Sequence, residues 1–148
     1  MRMKVFISYS DSDGLDKAKI AHDALKKYKH NPWYFDKNKT LGYLYAEELP
    51  YRIREWCDVF LFLCTKHSID CDGQRWEIAQ WFTDWTRIPT LAISIDNAVI
   101  PKTIDVFSYD HSLTSNNFEK EFTVVAKDFG SILDRHGRLD RDIKAEIR

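Results

Sequence analysis

The chain contains no apolar run near the roughly 18 residues that a membrane-spanning helix needs, so no such helix is expected. It also contains no block of lysine and arginine. Its 22 basic and 23 acidic residues give a formal net charge of −1. Nucleic-acid binding draws on clustered cations that replace phosphate counterions, so no nucleic-acid partner is expected either. The opening MRMKVFISYS lacks the apolar stretch and small-residue cleavage site of a secretory signal. A cytoplasmic location is the expectation. Cysteine is scarce as well: there are three, Cys57, Cys64 and Cys71. An odd number with no secretion signal points to reduced thiols.

The three cysteines and His67 lie close enough in sequence to raise the question of a zinc site. Cys57 and Cys64, however, flank the apolar run DVFLFL, which reads as a strand. Seven residues at about 3.3 Å each hold them roughly 20 Å apart. One zinc cannot reach both, and no metal is expected.

The chain does contain material for a full core. Its 148 residues are 44% hydrophobic and 30% charged, which suits one folded domain. Strand and helix patterns alternate. Residues 3–9, MKVFISY, read as a strand, and the loop SDSDG leads into a helix to about Tyr28. That helix carries Ala18, Ala21, Leu25 and Tyr28 on one face. Asn31-Pro32 breaks it, and residues 33–36, WYFD, form a second strand. A helix is expected from about Ala46 to Trp56, with Pro50 in its first turn or marking a late start.

Residues 58–64 make an almost unbroken apolar run, as in a strand covered on both faces. Asp72 is the expected N-cap of the next helix, whose buried face is Ile78, Trp81, Phe82 and Trp85. Residues 89–95 and 104–109 read as the fourth and fifth strands. A final helix over about 116–133 places Phe118, Phe122, Val125, Phe129 and Ile132 on one stripe. The predicted architecture is an α/β flavodoxin-like three-layer sandwich with a five-stranded parallel sheet in the order 2-1-3-4-5. Residues 1–135 form the domain. Residues 136–148 are a charged tail or a short helix with Leu139, Ile143 and Ile147 on one side.

In such a sheet, ligands bind beyond the carboxyl ends of the strands, so the loops SDSDG, KNKTLGY and TKHSIDCDG matter most. Two acids in the first loop repel a phosphate, which disfavours flavin mononucleotide. A phospho-receiver needs an acceptor aspartate ending the third strand, where this chain has Cys64 and Thr65. One acid attracts attention. Glu77 sits early in the helix after the third strand, within GQRWEIAQWF, beside the expected buried face. A carboxylate near a helix N-terminus is favoured by the helix dipole whether or not it does chemistry.

The opening KVFISYSDSD, the YFD that ends the second strand with Leu41-Gly42 after it, the strand CDVFLFL and the segment WEIAQW together resemble the Toll/interleukin receptor (TIR) domain family. The nearest pattern is the Thoeris-type branch of bacterial antiphage defence. The resemblance spans about residues 3–133. It implies an enzyme that cleaves NAD⁺ at the nicotinamide–ribose bond and yields linear or cyclic ADP-ribose. Glu77 holds the position of the family's catalytic glutamate. The resemblance further implies substrate contacts from Phe6, Ser10 and Asp11 at the first strand, from Ser68 before the helix, and from Trp76. Leu41, Gly42 and Tyr43 fall in the loop that moves and meets neighbouring domains in this family.

No cofactor is implied, because NAD⁺ enters as substrate. The implied partners are further copies of the domain and a separate effector protein that reads the product. One departure is Gly73, where many members carry tryptophan four residues before the glutamate. It leaves the ring-stacking role without an obvious holder. Two other readings stand beside this one: a non-catalytic TIR interaction module, and a flavodoxin-like nucleotide binder.

Overall fold

A computed structural model describes residues 2–36, 42–83 and 88–137, with residues 42–44 and 137 by backbone only. Four strands form the sheet: β1 (Lys4–Ser8), β2 (Asn31–Trp33), β3 (Val59–Cys64) and β4 (Thr90–Ser94). All pair in parallel in the order β2-β1-β3-β4. The helices are α1 (Leu15–Lys27), α2 (Gly42–Tyr51), α3 (Asp72–Thr83), α4 (Phe118–Lys127) and α5 (Phe129–Ile132).

Side chains alternate across a strand, and this chain uses both faces. Val5, Ile7, Leu61, Leu63, Leu91 and Ile93 join Ala18, Ala21 and Leu25 of α1 and the phenylalanines of α4 and α5 in one core. Phe6, Phe60, Phe62 and Ala92 face the other way, onto Leu49, Ile53 and Trp81 from the α2 and α3 side. The result is a helix–sheet–helix sandwich. No helix among the described residues is long and apolar enough to cross a membrane.

The sheet is one strand shorter than its sequence pattern implies. Where a fifth strand is expected, Asp105–Phe107 forms a 3₁₀ turn, and only isolated bridges remain, Ala92 to Ser108 and Ile95 to Leu113. The reason is the burial period. Ile104 and Phe107 are both buried while Val106 is 56% exposed. Residues three apart point to opposite faces of a strand but to the same side of a 3₁₀ turn.

The second strand begins two residues earlier than expected and contains Pro32. As an edge strand it tolerates this proline: Asn31 N–H bonds the Met3 carbonyl at 2.8 Å, while position 32 turns away from β1. Pro50 lies in the last turn of α2, not the first. A π-helical turn, Arg52–Trp56, follows, and Cys57 N–H reaches back to the Arg52 carbonyl at 3.0 Å. Pro50 has no N–H to give the Ala46 carbonyl, so the regular ladder is already interrupted where the wider turn begins. The predicted 116–133 helix is divided at Asp128, though all five residues of its stripe are buried. The expected boundary at 135/136 falls within a helical turn, Leu133–Gly137, where His136 approaches Asp110 at 3.3 Å. Residues 138–148, with the expected tail helix, lie outside the described residues.

Candidate active site

Period-two alternation places Ser8 on the same side of β1 as Phe6, facing α3. The buried residues of α3 are Gln74, Glu77 and Trp81, at helical spacings of three and four. The face expected from the apolar residues is therefore displaced. Phe82 is 55% exposed, Ile78 is half-buried, and Trp85 is outside the described residues. Glu77 lies on the buried face itself, not beside it.

The loop between β3 and α3 sets the start of that helix. Thr65 N–H donates to Ser68 Oγ at 2.9 Å, and Cys71 N–H donates to the Ser68 carbonyl at 3.2 Å. The cap is Cys71, not Asp72. Its sulfur accepts Gln74 N–H at 3.5 Å and its carbonyl accepts Arg75 N–H at 3.0 Å, while the Asp72 side chain is 97% exposed. Asp13 ties the loop to the head of α1: Oδ1 accepts the Thr65 hydroxyl at 2.6 Å and Oδ2 accepts His67 N–H at 3.1 Å. These bonds outweigh the effect of burial and hold the Asp13 carboxyl below its usual range. Gly14 belongs to the same junction. A Cβ there would come within 2.8 Å of the Ser10 carbonyl that Gly14 N–H bonds at 2.7 Å.

Truncating Asp13 to alanine takes two bonds to an ionised acceptor away from the loop, leaving the Thr65 hydroxyl the longer 3.4 Å contact with Ser68 Oγ and the His67 N–H to water. We expect Asp13→Ala to cost about 1–3 kcal/mol by urea unfolding at neutral pH. The difference should shrink as pH falls below the carboxyl's unfolded value, because a depressed carboxyl stabilises only while it is ionised.

Glu77 is 6% exposed. Ser8 Oγ–H donates to Oε1 at 2.6 Å, and Tyr45 O–H, from α2, donates to Oε2 at 3.2 Å. No lysine, arginine or histidine pairs with it among the described residues. Burial pushes its pKa up to about 8, against the opposing effect of the two hydroxyl donors, and the nearby Asp11 charge pushes the same way. At neutral pH Glu77 is therefore mainly the protonated acid. Tyr45 can accommodate both states, because its hydroxyl also lies 3.4 Å from the Gly73 carbonyl. It can donate there when Glu77 carries its own proton.

A hollow of about 130 Å³ opens beside the carboxyl, lined by Tyr9, Asp11, Phe35, Tyr45, Cys71, Gly73 and Glu77. It is smaller than the roughly 300 Å³ of pockets that enclose a drug-sized ligand, and it suits a single ring or sugar. A larger hollow of about 530 Å³ lies on the same sheet edge, between Asp13, Lys17, Lys66 and Asp96. Its acids are already committed. Asp13 is tied as above, and Asp96 accepts both the backbone N–H and the hydroxyl of Ser115. The smaller hollow has the carboxyl raised above its usual range, so it is the candidate site.

Of the residues singled out in the sequence, Glu77 and Asp11 line this hollow together. Phe6 does not. It is fully buried in the core against Trp33 and Phe60, with ring centroids at 5.4 and 5.6 Å. Ser10 is also fully buried and lies 3.1 Å from the Ser12 hydroxyl. Ser68 is committed to the loop before α3. Trp76 is half-buried and sets its edge on Tyr45 at 5.3 Å, one ring removed from the hollow. Gly42 and Tyr43 open α2 and are described by backbone only, and Leu41 lies outside the described residues.

Ser8, Tyr9, Phe35 and Tyr45 are the site residues that sequence reasoning passed over. Ser8 carried a signal, as the polar residue two after Phe6 on the same strand face. Tyr9 and Phe35 are joined by a hydrogen bond from the Tyr9 hydroxyl to the Phe35 carbonyl. Cys71, raised only as a metal ligand, lines the hollow, whereas the Cys57 and Cys64 thiols donate to the Ile53 and Val99 carbonyls.

No family model and no curated sequence matches the chain. Solved structures do. Two cysteine-substituted forms of a flavodoxin from Pseudomonas aeruginosa superpose with TM-score 0.52 at 12% identity, over 90% of this chain and 99% of theirs. The fold is flavodoxin-like. The turn after β1 holds Asp11 and Asp13; Asp13 takes the N–H of His67, and Gly14 N–H is spent on the Ser10 carbonyl.

Proposed function

We propose that the protein is a TIR-type enzyme that cleaves NAD⁺ at the nicotinamide–ribose bond, with Glu77 as the catalytic residue. The observation that carries this reading is a buried carboxyl at the rim of a ring-sized hollow, held by two hydroxyl donors and paired with no cation among the described residues. Such an acid costs stability, and a reaction that moves positive charge from a ring onto a sugar beside it gives it a use. The resemblance of WEIAQW and the strand-one segment to TIR domains supports the same choice.

In this mechanism the pyridinium ring enters against Tyr45 and Phe35. Its positive charge favours loss of the Glu77 proton. The nicotinamide–ribose bond then breaks, and both electrons go to the ring nitrogen, so neutral nicotinamide leaves without a general acid. The ribose is left oxocarbenium-like, as in glycoside hydrolysis, and the carboxylate stabilises it. Water completes hydrolysis with loss of a proton, or a nucleophile of the same molecule closes a ring. The product serves as a signal in antiphage immunity, read by a separate effector, and self-association of the domain assembles the active state.

The test is incubation of the full chain with NAD⁺, dilute and in enforced assemblies, with chromatography for nicotinamide. Release that stops in Glu77→Gln is the expected result. NAD⁺ left intact in every assembled state would leave the interaction-module reading in its place.

A further inference from the structure

Gln74 lies one turn before Glu77 and is 1% exposed. Its Nε2 donates to the Leu63 carbonyl at 3.0 Å and to Ser8 Oγ at 3.3 Å. Its Oε1 is fully buried and meets no donor among the described residues. An orphaned buried acceptor is unfavourable, and a methionine of similar volume would fill the space without one. The bond to the Leu63 carbonyl gives one amide proton a structural role, and the other is aimed at Ser8.

The orientation of the amide is fixed by its surroundings. Flipped, it would set Oε1 against the Leu63 carbonyl, acceptor against acceptor. A serine hydroxyl has one proton to give. Because Gln74 aims an N–H at Ser8 Oγ, that proton is directed to Glu77 Oε1, 2.6 Å away. We propose that Gln74 is a positioning residue, which acts through Ser8 to keep a hydrogen-bond donor on Glu77 and so favours the carboxylate that the reaction uses. The inference rests on the reading of Glu77 above.

The other groups that face Glu77 are Tyr45 from α2, Tyr9 and Asp11 from β1 and its loop, and Cys71 at the head of α3. Tyr45 also donates to Glu77, and the Asp11 charge opposes ionisation. Ser8 is the donor that another side chain orients.

The decisive variant is Gln74→Met. It gives up the bond to the Leu63 carbonyl and removes the orphaned Oε1, so it should stay folded in mildly acidic buffer with at most a modest loss of stability. Its kcat/KM for NAD⁺ at neutral pH should fall about tenfold, with the pH at which activity levels off moved upward. Gln74→Glu should lose more, because its carboxyl takes the Ser8 proton away from Glu77. A second readout needs no substrate: carbon-13 NMR titration of the Glu77 side chain, whose midpoint should rise in Gln74→Met. An unchanged midpoint and pH profile in a folded Gln74→Met would overturn the proposal. A variant that fails to fold would assign Gln74 to the architecture and overturn it as well. If the wild type leaves NAD⁺ intact, the enzymatic reading fails, and the titration still decides the role of Gln74.

Discussion

Glu77→Gln should reduce NAD⁺ turnover by about 10²–10³-fold and at the same time stabilise the protein above neutral pH. The two effects share one cause. The Glu77 pKa stands at about 8 in the fold against an ordinary 4.5. Between those values the native state binds more protons than the unfolded chain, so stability falls as pH rises. The loss approaches about 4 kcal/mol at the upper end of that range, a large share of the roughly 5–15 kcal/mol of a typical domain. Glutamine keeps the shape: its carbonyl oxygen can accept from Ser8 while its amide N–H donates to the Tyr45 oxygen, whose own proton can turn to the Gly73 carbonyl, and it does not ionise. Urea unfolding should therefore give similar stabilities for the two proteins at the low end of the range, with a gap in favour of the variant that widens as pH rises. Identical curves throughout would mean that the carboxyl is not buried in solution.

The same acid fixes the form of the pH–rate profile. In the free enzyme the carboxylate is the minor form at neutral pH. The value of kcat/KM should then climb about tenfold per pH unit and level off near 8. In the complex, the pyridinium charge favours ionisation, so kcat should level off at lower pH than kcat/KM. A profile flat through this range would contradict a role for ionised Glu77.

Much of the fold was legible because its strongest signals are local. The buried run of β3 and the stripe of α4 and α5 each follow from one element's period. The fifth strand was misread because its residues suit a strand while their burial repeats every three. The site was legible in part. Glu77 and Asp11 were found, but Phe6 drew attention for its aromatic ring when its strand neighbour Ser8 faces the acid. Tyr45 lies 32 residues from Glu77, and α2 reaches it only by packing beside α3 on the same face of the sheet. No periodicity within one element encodes such a contact. The buried face of α3 was obscured for a related reason, since two of its three buried residues are polar and are linked to each other through Ser8.

That composition makes Trp81 the apolar anchor of α3, and Trp81→Ala should be the most damaging core substitution on this helix. The indole is fully buried between Phe60 and Phe107, with ring centroids at 5.9 and 5.8 Å. Its Nε1–H donates to Thr90 Oγ1 at 2.8 Å, which in turn donates to the Ile88 carbonyl at 2.9 Å. Truncation removes the ring contacts, opens a cavity between helix and sheet, and deprives Thr90 of its donor. A cost of about 3–5 kcal/mol is expected. Trp81 sits one turn after Glu77, so a loosened α3 also loses the register that brings Glu77 to Ser8. Thermal melting should show a large drop for Trp81→Ala. For Trp81→Phe, which keeps most of the ring packing but not the hydrogen bond, the drop should be smaller and turnover largely kept. Equal melting temperatures for the alanine variant and the wild type would show that α3 is held by its polar residues instead.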